Sequence, residues 1–266
     1  MRHYEHLYIY EIEGEVDESL IASPDYIGCW NEGESSFLFF HSDQRSLVDR
    51  VISGARTLRL VDAYDMPYEE WQGGTLTPFR IGPLWFRPPY RKETPPEGCR
   101  DVPFDPGVVF GTGLHPTTYD CLHLLVDFFK VNIPETVLDL GTGTGILAVS
   151  AALLGTKRVL AVDINRLSVS TARRNVRLNG LDEVIEVVEG DALEMIEREA
   201  DLTLMNIHYS VLDAITNREA FYRKKSVILS GVLRSDYYTL LRKLQKRRRL
   251  VRERRTGHWF TAWFEA

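Results

Sequence analysis

From about residue 107 to the end of the sequence, short apolar segments alternate with segments that have the apolar spacing of helices. The predicted strands cover 136–140, 158–163, 184–188, 202–206, 226–230 and 257–264, and the predicted helices cover 117–129, 145–154, 166–178, 209–220 and 235–246. Several of these strands are apolar on both faces, which is typical of parallel strands covered by helices on both sides. The alternation therefore predicts an α/β domain with a mostly parallel sheet.

The first 106 residues are organised differently. Residues 1–65 contain strand candidates at 7–12, 26–30, 37–40 and 58–64 and a helix candidate at 44–53, which together predict a small α+β domain. Residues 66–106 hold nine of the twelve prolines, so we expect an extended connector with one short strand at 84–86. The connector is rich in aromatic residues, and we expect it to pack on the domain formed by residues 107–266.

Charge and cysteine content narrow the class of protein. The formal net charge is -6, which argues against a chain whose main task is to hold nucleic acid. The three cysteines form no Cys-x-x-Cys pair, so we expect neither a disulfide framework nor a metal site. Without a signal peptide or an apolar run of about 20 residues, we expect a cytoplasmic protein that does not enter the membrane. The basic run at 242–255 is either a solvated face, the default interpretation, or a patch for RNA or an acidic partner.

A glycine-rich turn after the strand at 136–140 predicts a ligand site. Gly141, Gly143 and Gly145 separate this strand from the next helix, and glycine lets a ligand approach the backbone. A tight turn without a ligand is the alternative interpretation. The spacing departs from the dinucleotide motif Gly-x-Gly-x-x-Gly, because Ile146 stands at the sixth position. Asp139, just before the turn, suits a cationic amino-acid group better than a pyrophosphate.

Two further acidic residues follow predicted strands. Asp163 ends the second strand of this domain, where a carboxylate can accept both hydroxyls of a ribose. Its alternative role is to end the strand or cap the next helix, for which Asn165 competes. Asp191 follows the third strand and either faces an adenine amino group or forms an Asx turn.

The segment ahead of the first helix of this domain is the most specific feature of the sequence. It reads Asp105-Pro106-Gly107, then Phe110-Gly111-Thr112-Gly113-Leu114-His115-Pro116-Thr117-Thr118. Further motifs are Thr77–Trp85, Met205-Asn206-Ile207 and Ser230–Leu233. With these motifs, roughly residues 70–235 resemble the methyltransferase family that modifies large-subunit ribosomal protein eleven. Two features depart from the family pattern: His208 replaces an apolar residue, and the N-terminal domain is short before Tyr26.

The resemblance implies a Rossmann-like methyltransferase domain with a mostly parallel seven-stranded sheet, preceded by a small α+β domain that recognises a protein substrate. It also implies that the cofactor is S-adenosyl-L-methionine and that Phe110–Thr118 folds over it. By position, Thr118, Gly141, Asp163 and Asn206 match the family's cofactor-binding residues. With the residues singled out above, the predicted cofactor site comprises Phe110, Thr118, Asp139, Gly141, Gly143, Asp163, Asp191 and Asn206.

The expected activity is N-methylation of a lysine or an N-terminal amine of a ribosomal or other cytoplasmic protein. We expect Asn206 to position the amine or the cofactor rather than to act as a base. His208 is either a base or substrate contact or an ordinary loop histidine, and the second hypothesis is favoured. The alternatives are a methyltransferase for a small molecule or RNA, a non-catalytic S-adenosylmethionine-binding protein, and a nicotinamide-dependent oxidoreductase, which Ile146 and Asp139 disfavour.

Overall fold

The computed structural model describes residues 5–55 and 57–266. The chain divides into two compact units. One unit runs to Leu76 and includes Asn165–Leu167, and the other comprises Thr77–Ile164 and Ser168–Ala266.

The N-terminal unit is a four-stranded antiparallel sheet with one helix against it. Its strands are β1 (His6–Glu13), β2 (Tyr26–Glu32), β3 (Ser35–Phe40) and β4 (Arg59–Pro67), in the order β2-β3-β1-β4. Helix α1 (Arg45–Ser53) places Val48 and Val51 in a core with Tyr10, Ile12 and Leu38. Between β1 and β2 there is only a 3-10 turn at Glu18–Leu20, as the short spacing in the sequence indicates. A short helix α2 (Tyr68–Trp71) follows β4.

The proline-rich segment contains more regular structure than the single strand expected. Strands β5 (Phe79–Ile81), β6 (Leu84–Arg87) and β7 (Arg100–Pro103) form a small sheet in the order β5-β6-β7. Phe79 and Phe86 stack at a centroid distance of 4.9 Å. Phe86 belongs to the large core of the second unit. Pairing between β6 and β7 joins residues 16 positions apart, so local sequence patterns could not reveal it.

The second unit is built on a seven-stranded sheet, as predicted. Its strands are β8 (Thr136–Leu140), β9 (Arg158–Asp163), β10 (Ile185–Glu189), β11 (Leu202–Asn206), β12 (Ser226–Leu233), β13 (Arg249–Thr256) and β14 (Trp259–Glu265). The order is β10-β9-β8-β11-β12-β14-β13, and β8 to β12 are parallel. Strand β14 runs antiparallel to its neighbours β12 and β13. The mostly parallel Rossmann-like sheet is thus confirmed.

Buried residues of the sheet and of its helices form two separate hydrophobic cores. Seven helices within the described ranges pack around the sheet. They are α3 (Pro116–Phe129), α4 (Ile146–Leu153), α5 (Arg166–Leu178), α6 (Ala192–Met195), α7 (Tyr209–Thr216), α8 (Glu219–Tyr222) and α9 (Arg234–Leu244). The single helix expected at 209–220 was wrong, because the chain breaks between α7 and α8. There the side-chain amide of Asn217 donates to the Asp213 carbonyl, which competes with continued helix formation. No helix in the described ranges is long and apolar enough to cross a membrane.

The direction in which the chain adds strands to the sheet reverses beside β8. From β8 the chain proceeds outward to β9 and β10, then returns to β11 on the other side. Connections on opposite sides leave a crevice at the carboxyl ends of β8 and β11, which is where open α/β sheets bind ligands.

Candidate functional site at the carboxyl edge of the sheet

The turn from β8 into α4 forms the floor of this crevice. The backbone amide of Thr142 donates to the Val162 carbonyl at 2.8 Å, which fixes the turn to neighbouring strand β9. Gly145 then begins α4 in a left-handed conformation at φ 83°. The turn thus connects the ends of two adjacent parallel strands before the helix starts.

The Phe110–Thr118 segment is attached to this turn by two hydrogen bonds. The backbone amide of Thr144 donates to the Phe110 carbonyl at 3.2 Å, and its hydroxyl donates to the Gly111 carbonyl at 2.8 Å. A Cβ on Gly143 would lie 2.6 Å from the Phe110 carbonyl oxygen. Gly143 is therefore required for close approach of the two segments, in addition to any ligand.

Asn175 on α5 links Asp105, five residues ahead of that segment, to Thr144 of the glycine turn. Its carbonyl accepts from the Asp105 amide at 2.9 Å, and its amide nitrogen donates to the carbonyls of Asp105 and Thr144 at 2.8 and 2.9 Å. The side chain is fully buried. Sequence reasoning missed Asn175; the only signal was an amide side chain within a predicted amphipathic helix.

Ile207 is enclosed by glycines from two other motifs. A Cβ on Gly141 would lie 2.1 Å from the Ile207 side chain, and one on Gly231 would lie 2.2 Å from its carbonyl oxygen. Both glycines are needed so that the segment after β11 can pack between the ends of β8 and β12. This packing fixes the position of the preceding Asn206.

Asp139 is a buried carboxyl group with one oxygen uncommitted. It is 1% exposed, and its Oδ2 accepts from the Thr142 hydroxyl at 2.6 Å. Its Oδ1 has no hydrogen-bond partner within residues 5–55 and 57–266. Burial raises the pKa of Asp139 to about 7, against the lowering effects of the Thr142 hydroxyl and the Ala148 backbone amide. The group is thus suited to a donor or a cation that enters the crevice.

Asp163 and Asp191 both hold backbone at the ends of their strands. Oδ2 of the half-buried Asp163 accepts from the Gly143 amide at 2.8 Å, so its carboxylate touches the glycine turn directly. Oδ1 of Asp191 accepts from the Leu193 amide at 2.8 Å and caps α6. The Asx turn considered for Asp191 is therefore present. Asn165 accepts from the Leu167 amide, as its predicted capping role requires.

Thr118 and Asn206 meet across the crevice. The Asn206 side-chain nitrogen donates to the Thr118 hydroxyl at 3.2 Å. Thr118 is buried in the first turn of α3, and His115 caps this helix by accepting from the Thr117 amide through Nδ1. His208 is exposed and caps α7 in the same way through Ser210. Phe110, Asp139 and Asp163 are thus joined to the glycine turn by hydrogen bonds, and Thr118 and Asn206 contact each other, whereas Asp191 and His208 occupy helix caps.

Comparison with known proteins gives consistent results. Residues 46–265 match the family described as ribosomal protein L11 methyltransferase. A protein of that name from Heliobacterium modesticaldum is 40% identical over 151 residues, which cover 56% of this chain and 47% of that protein. Another from Myxococcus xanthus is 32% identical over 209 residues, covering 76% of this chain and 72% of that protein. The chain thus spans about half the length of several curated relatives that it matches.

A solved structure is also similar. The crystal structure of ribosomal protein L11 methylase from Lactobacillus delbrueckii subsp. bulgaricus superposes with a TM-score of 0.58 at 26% identity. The superposition covers 68% of this chain and 93% of that structure. The sequence and structure comparisons therefore lead to the same kind of protein.

Proposed function

The chain belongs to the ribosomal protein L11 methyltransferase family, and on this premise we propose that it is an S-adenosyl-L-methionine-dependent protein N-methyltransferase. The observation that carries the proposal is the attachment of Phe110–Thr118 to the glycine turn, which directly follows β8 and its buried Asp139; Oδ1 of Asp139 has no hydrogen-bond partner in the described ranges. This arrangement creates a polar crevice at the sheet edge where α/β enzymes bind cofactors.

The residues of the crevice fit the chemical groups of this cofactor. Oδ1 of Asp139 would accept from its ammonium, and the Asp163 carboxylate would accept from the ribose hydroxyls. The Thr118 hydroxyl and the first turn of α3 would hold its carboxylate. Phe110, Gly141, Gly143 and Asn206 complete the proposed site, and Asp191 remains a proposed neighbour of the adenine.

We propose that Asn206 positions the methyl acceptor. When bound, the cofactor would supply an electrophilic methyl group on a positively charged sulfur, which only an amine with a free lone pair can attack. The acceptor must therefore be a neutral amine held in line with the reacting bond. The hydrogen bond to Thr118 fixes the Asn206 amide, so its carbonyl can accept from that amine.

The proposed acceptor is a lysine or an N-terminal amine of ribosomal protein L11, which would place the reaction in the cytoplasm. We propose that residues 1–65 recognise this protein. Residues 1–76 contain fifteen Asp and Glu against five Arg and no Lys, a formal charge of −10. The remaining residues contain 27 basic and 23 acidic side chains, a formal charge of +4. An acidic N-terminal unit suits a partner that is basic because it binds RNA.

RNA is a weaker candidate for the acceptor, because the basic run is largely committed to intramolecular pairs. The pairs are Lys243–Asp213, Arg247–Glu219, Arg249–Glu265, Arg252–Asp127 and Arg254–Asp120. Arg248 is buried and donates to the carbonyls of Phe221 and Lys224. Phosphate binding requires basic groups that are available to the solvent, and these carboxylates neutralise most of the run.

Incubation with labelled S-adenosylmethionine and purified ribosomal protein L11, followed by mass spectrometry, tests the proposed function. We expect label on an amine of that protein, and Asn206→Ala should lower the turnover number by about 10-fold or more, because alignment of the amine is lost. Cofactor binding without transfer to any protein of a ribosomal extract would contradict a catalytic role. Label on RNA or on a small molecule would contradict the proposed acceptor.

A further inference from the structure

Three exposed apolar side chains border the candidate site. Phe110 is 46% exposed, Leu114 is 41% exposed and Leu233 is 42% exposed. Phe110 and Leu114 belong to the segment that closes on the glycine turn, and Leu233 ends β12. Apolar side chains grouped beside a crevice indicate a surface that contacts a ligand or partner.

Trp259 lies at this same edge of the sheet. Strands β11 and β12 are parallel, with Asn206 opposite Ser230, so Leu233 lies beyond the level of Asn206. Strand β14 runs antiparallel to β12 and begins with Trp259 opposite Leu233. Trp259, which is partly exposed, therefore lies past the carboxyl end of β11, the end that carries Asn206.

A row of rings connects Trp259 to the closing segment. The His115 ring lies 5.1 Å from the Phe110 ring and 5.0 Å from the Trp259 ring, both edge to face. We call Phe110, His115 and Trp259 the aromatic row. It links the segment over the cofactor site to the last strand of the sheet.

The aromatic row presents no charge at neutral pH. Nδ1 of His115 accepts from the Thr117 amide, and burial lowers the pKa of His115 from its ordinary value. The row is therefore an apolar wall with π faces, which can pack against a methylene chain and attract a cationic end group. A lysine side chain combines these two features.

We propose that Trp259 is a specificity-determining residue for the acceptor, along which the alkyl stem of a lysine-type amine lies as the amine reaches Asn206. This inference rests on the proposed function. The Asn206 amide nitrogen is already engaged by Thr118. Within the described ranges its carbonyl oxygen has no protein donor, so an amine arriving along the row meets an acceptor.

Two cofactor analogues test this inference without turnover. In both, nitrogen replaces the sulfur of S-adenosylmethionine; one carries a methyl group on that nitrogen and the other an aminobutyl chain. Calorimetry should show that the wild-type protein binds the aminobutyl analogue about 10-fold more tightly, because the chain buries several methylene groups. In Trp259→Ala this advantage should be lost while affinity for the methyl analogue changes less than about 2-fold, and Trp259→Phe should keep most of it.

Ile133→Ala is the matched control, since Ile133 is 73% exposed and precedes β8 at the opposite edge of the sheet. It should retain the wild-type advantage for the aminobutyl analogue. An undiminished advantage in Trp259→Ala would overturn the inference. So would an equal loss of affinity for both analogues, because Trp259 would then only support the closing segment. If the wild-type protein bound neither analogue, the proposed function itself would be contradicted, and this inference with it.

Discussion

Asp139 combines nearly complete burial with a pKa of about 7, so its charge state changes within the physiological range. Only the ionised carboxylate pairs strongly with an ammonium group. We therefore expect affinity for S-adenosylmethionine to fall as the pH drops below about 7. Calorimetry at about pH 6 and about pH 8 would measure this change. Asp139→Asn should bind weakly at both values, and an equal pH dependence in this variant would assign the titration to another group.

In the ligand-free protein the same group affects stability with the opposite sign. Its folded-state pKa of about 7 lies above the ordinary value of 3.8, so the neutral carboxyl stabilises the fold at low pH. The free energy of unfolding therefore falls as the pH rises from about 4 to about 7. Above about pH 7 this group no longer changes the free energy of unfolding. The melting temperature of the wild type relative to Asp139→Asn should therefore fall across this interval. A difference independent of pH would show that Asp139 is ionised throughout.

At the residue scale, the sequence predicted the site residues that stand at the ends of strands and helices. It did not predict the residues whose roles depend on partners far away in the sequence. The apolar spacing of the sequence reveals β9, β11 and α3. Asp163 and Asn206 end the two strands and Thr118 lies in the first turn of the helix, so their placement could be predicted. The roles of Asn175 and Trp259 depend on partners far away in the chain. No local spacing carries that information.

At the element scale, the contact between the glycine turn and the Phe110–Thr118 segment should depend on Gly143. In Gly143→Ala the new Cβ would meet the Phe110 carbonyl oxygen at 2.6 Å in a backbone with φ +55°. The segment would have to move, so we expect a loss of cofactor affinity of about 10-fold or more, together with destabilisation of about 2–3 kcal/mol. Calorimetry and urea unfolding would measure the two effects.

Gly180→Ala provides the control for this experiment. Gly180 has a similar φ of +63°, but a Cβ added there would have no atom of the described residues within 4 Å beyond its immediate chain neighbours. It should cost only the strain of a left-handed residue, about 1–2 kcal/mol, and leave cofactor affinity unchanged. Equal affinity in the two variants would contradict the role assigned to the closing segment.

The elements themselves were predictable to different degrees. The central strands of the large sheet were evident because burial on both faces leaves continuous apolar runs, as at β12, whereas β13 is mostly exposed and lies in the basic run. The connector sheet was largely missed, since proline-rich sequence favours extended chain and β7 pairs with β6 over 16 residues. The break between α7 and α8 was missed because both sides keep a helical apolar pattern, while a single side chain, Asn217, disrupts the backbone.

At the scale of the whole molecule, the uneven charge predicts salt-sensitive recognition of a basic protein. Residues 1–76 carry a formal charge of −10, whereas the remaining residues carry +4. Salt should raise the KM for ribosomal protein L11 more than it changes kcat, because screening weakens association. Steady-state kinetics at several ionic strengths would measure both constants.

A pair of charge-neutralising variants separates local from overall charge. Glu32 and Glu34 are exposed at the β2–β3 hairpin of the N-terminal unit, and Glu183 and Glu186 are exposed in the other unit. Neutralising the first pair with glutamine should raise the KM for the protein acceptor by a factor of about 2–5 and reduce its salt dependence. The second pair removes the same charge and should have little effect. Equal effects from both pairs would contradict recognition by the N-terminal unit.

The central claim is that the crevice between the glycine turn and Phe110–Thr118 binds S-adenosylmethionine, and a calorimetric titration tests it most directly. We expect one binding event with S-adenosylmethionine, none with NAD, and an affinity at least about 10-fold lower in Asp163→Ala, which loses the carboxylate that holds the Gly143 amide and would meet the ribose. Absence of heat and of any melting-temperature shift at saturating S-adenosylmethionine would contradict the claim.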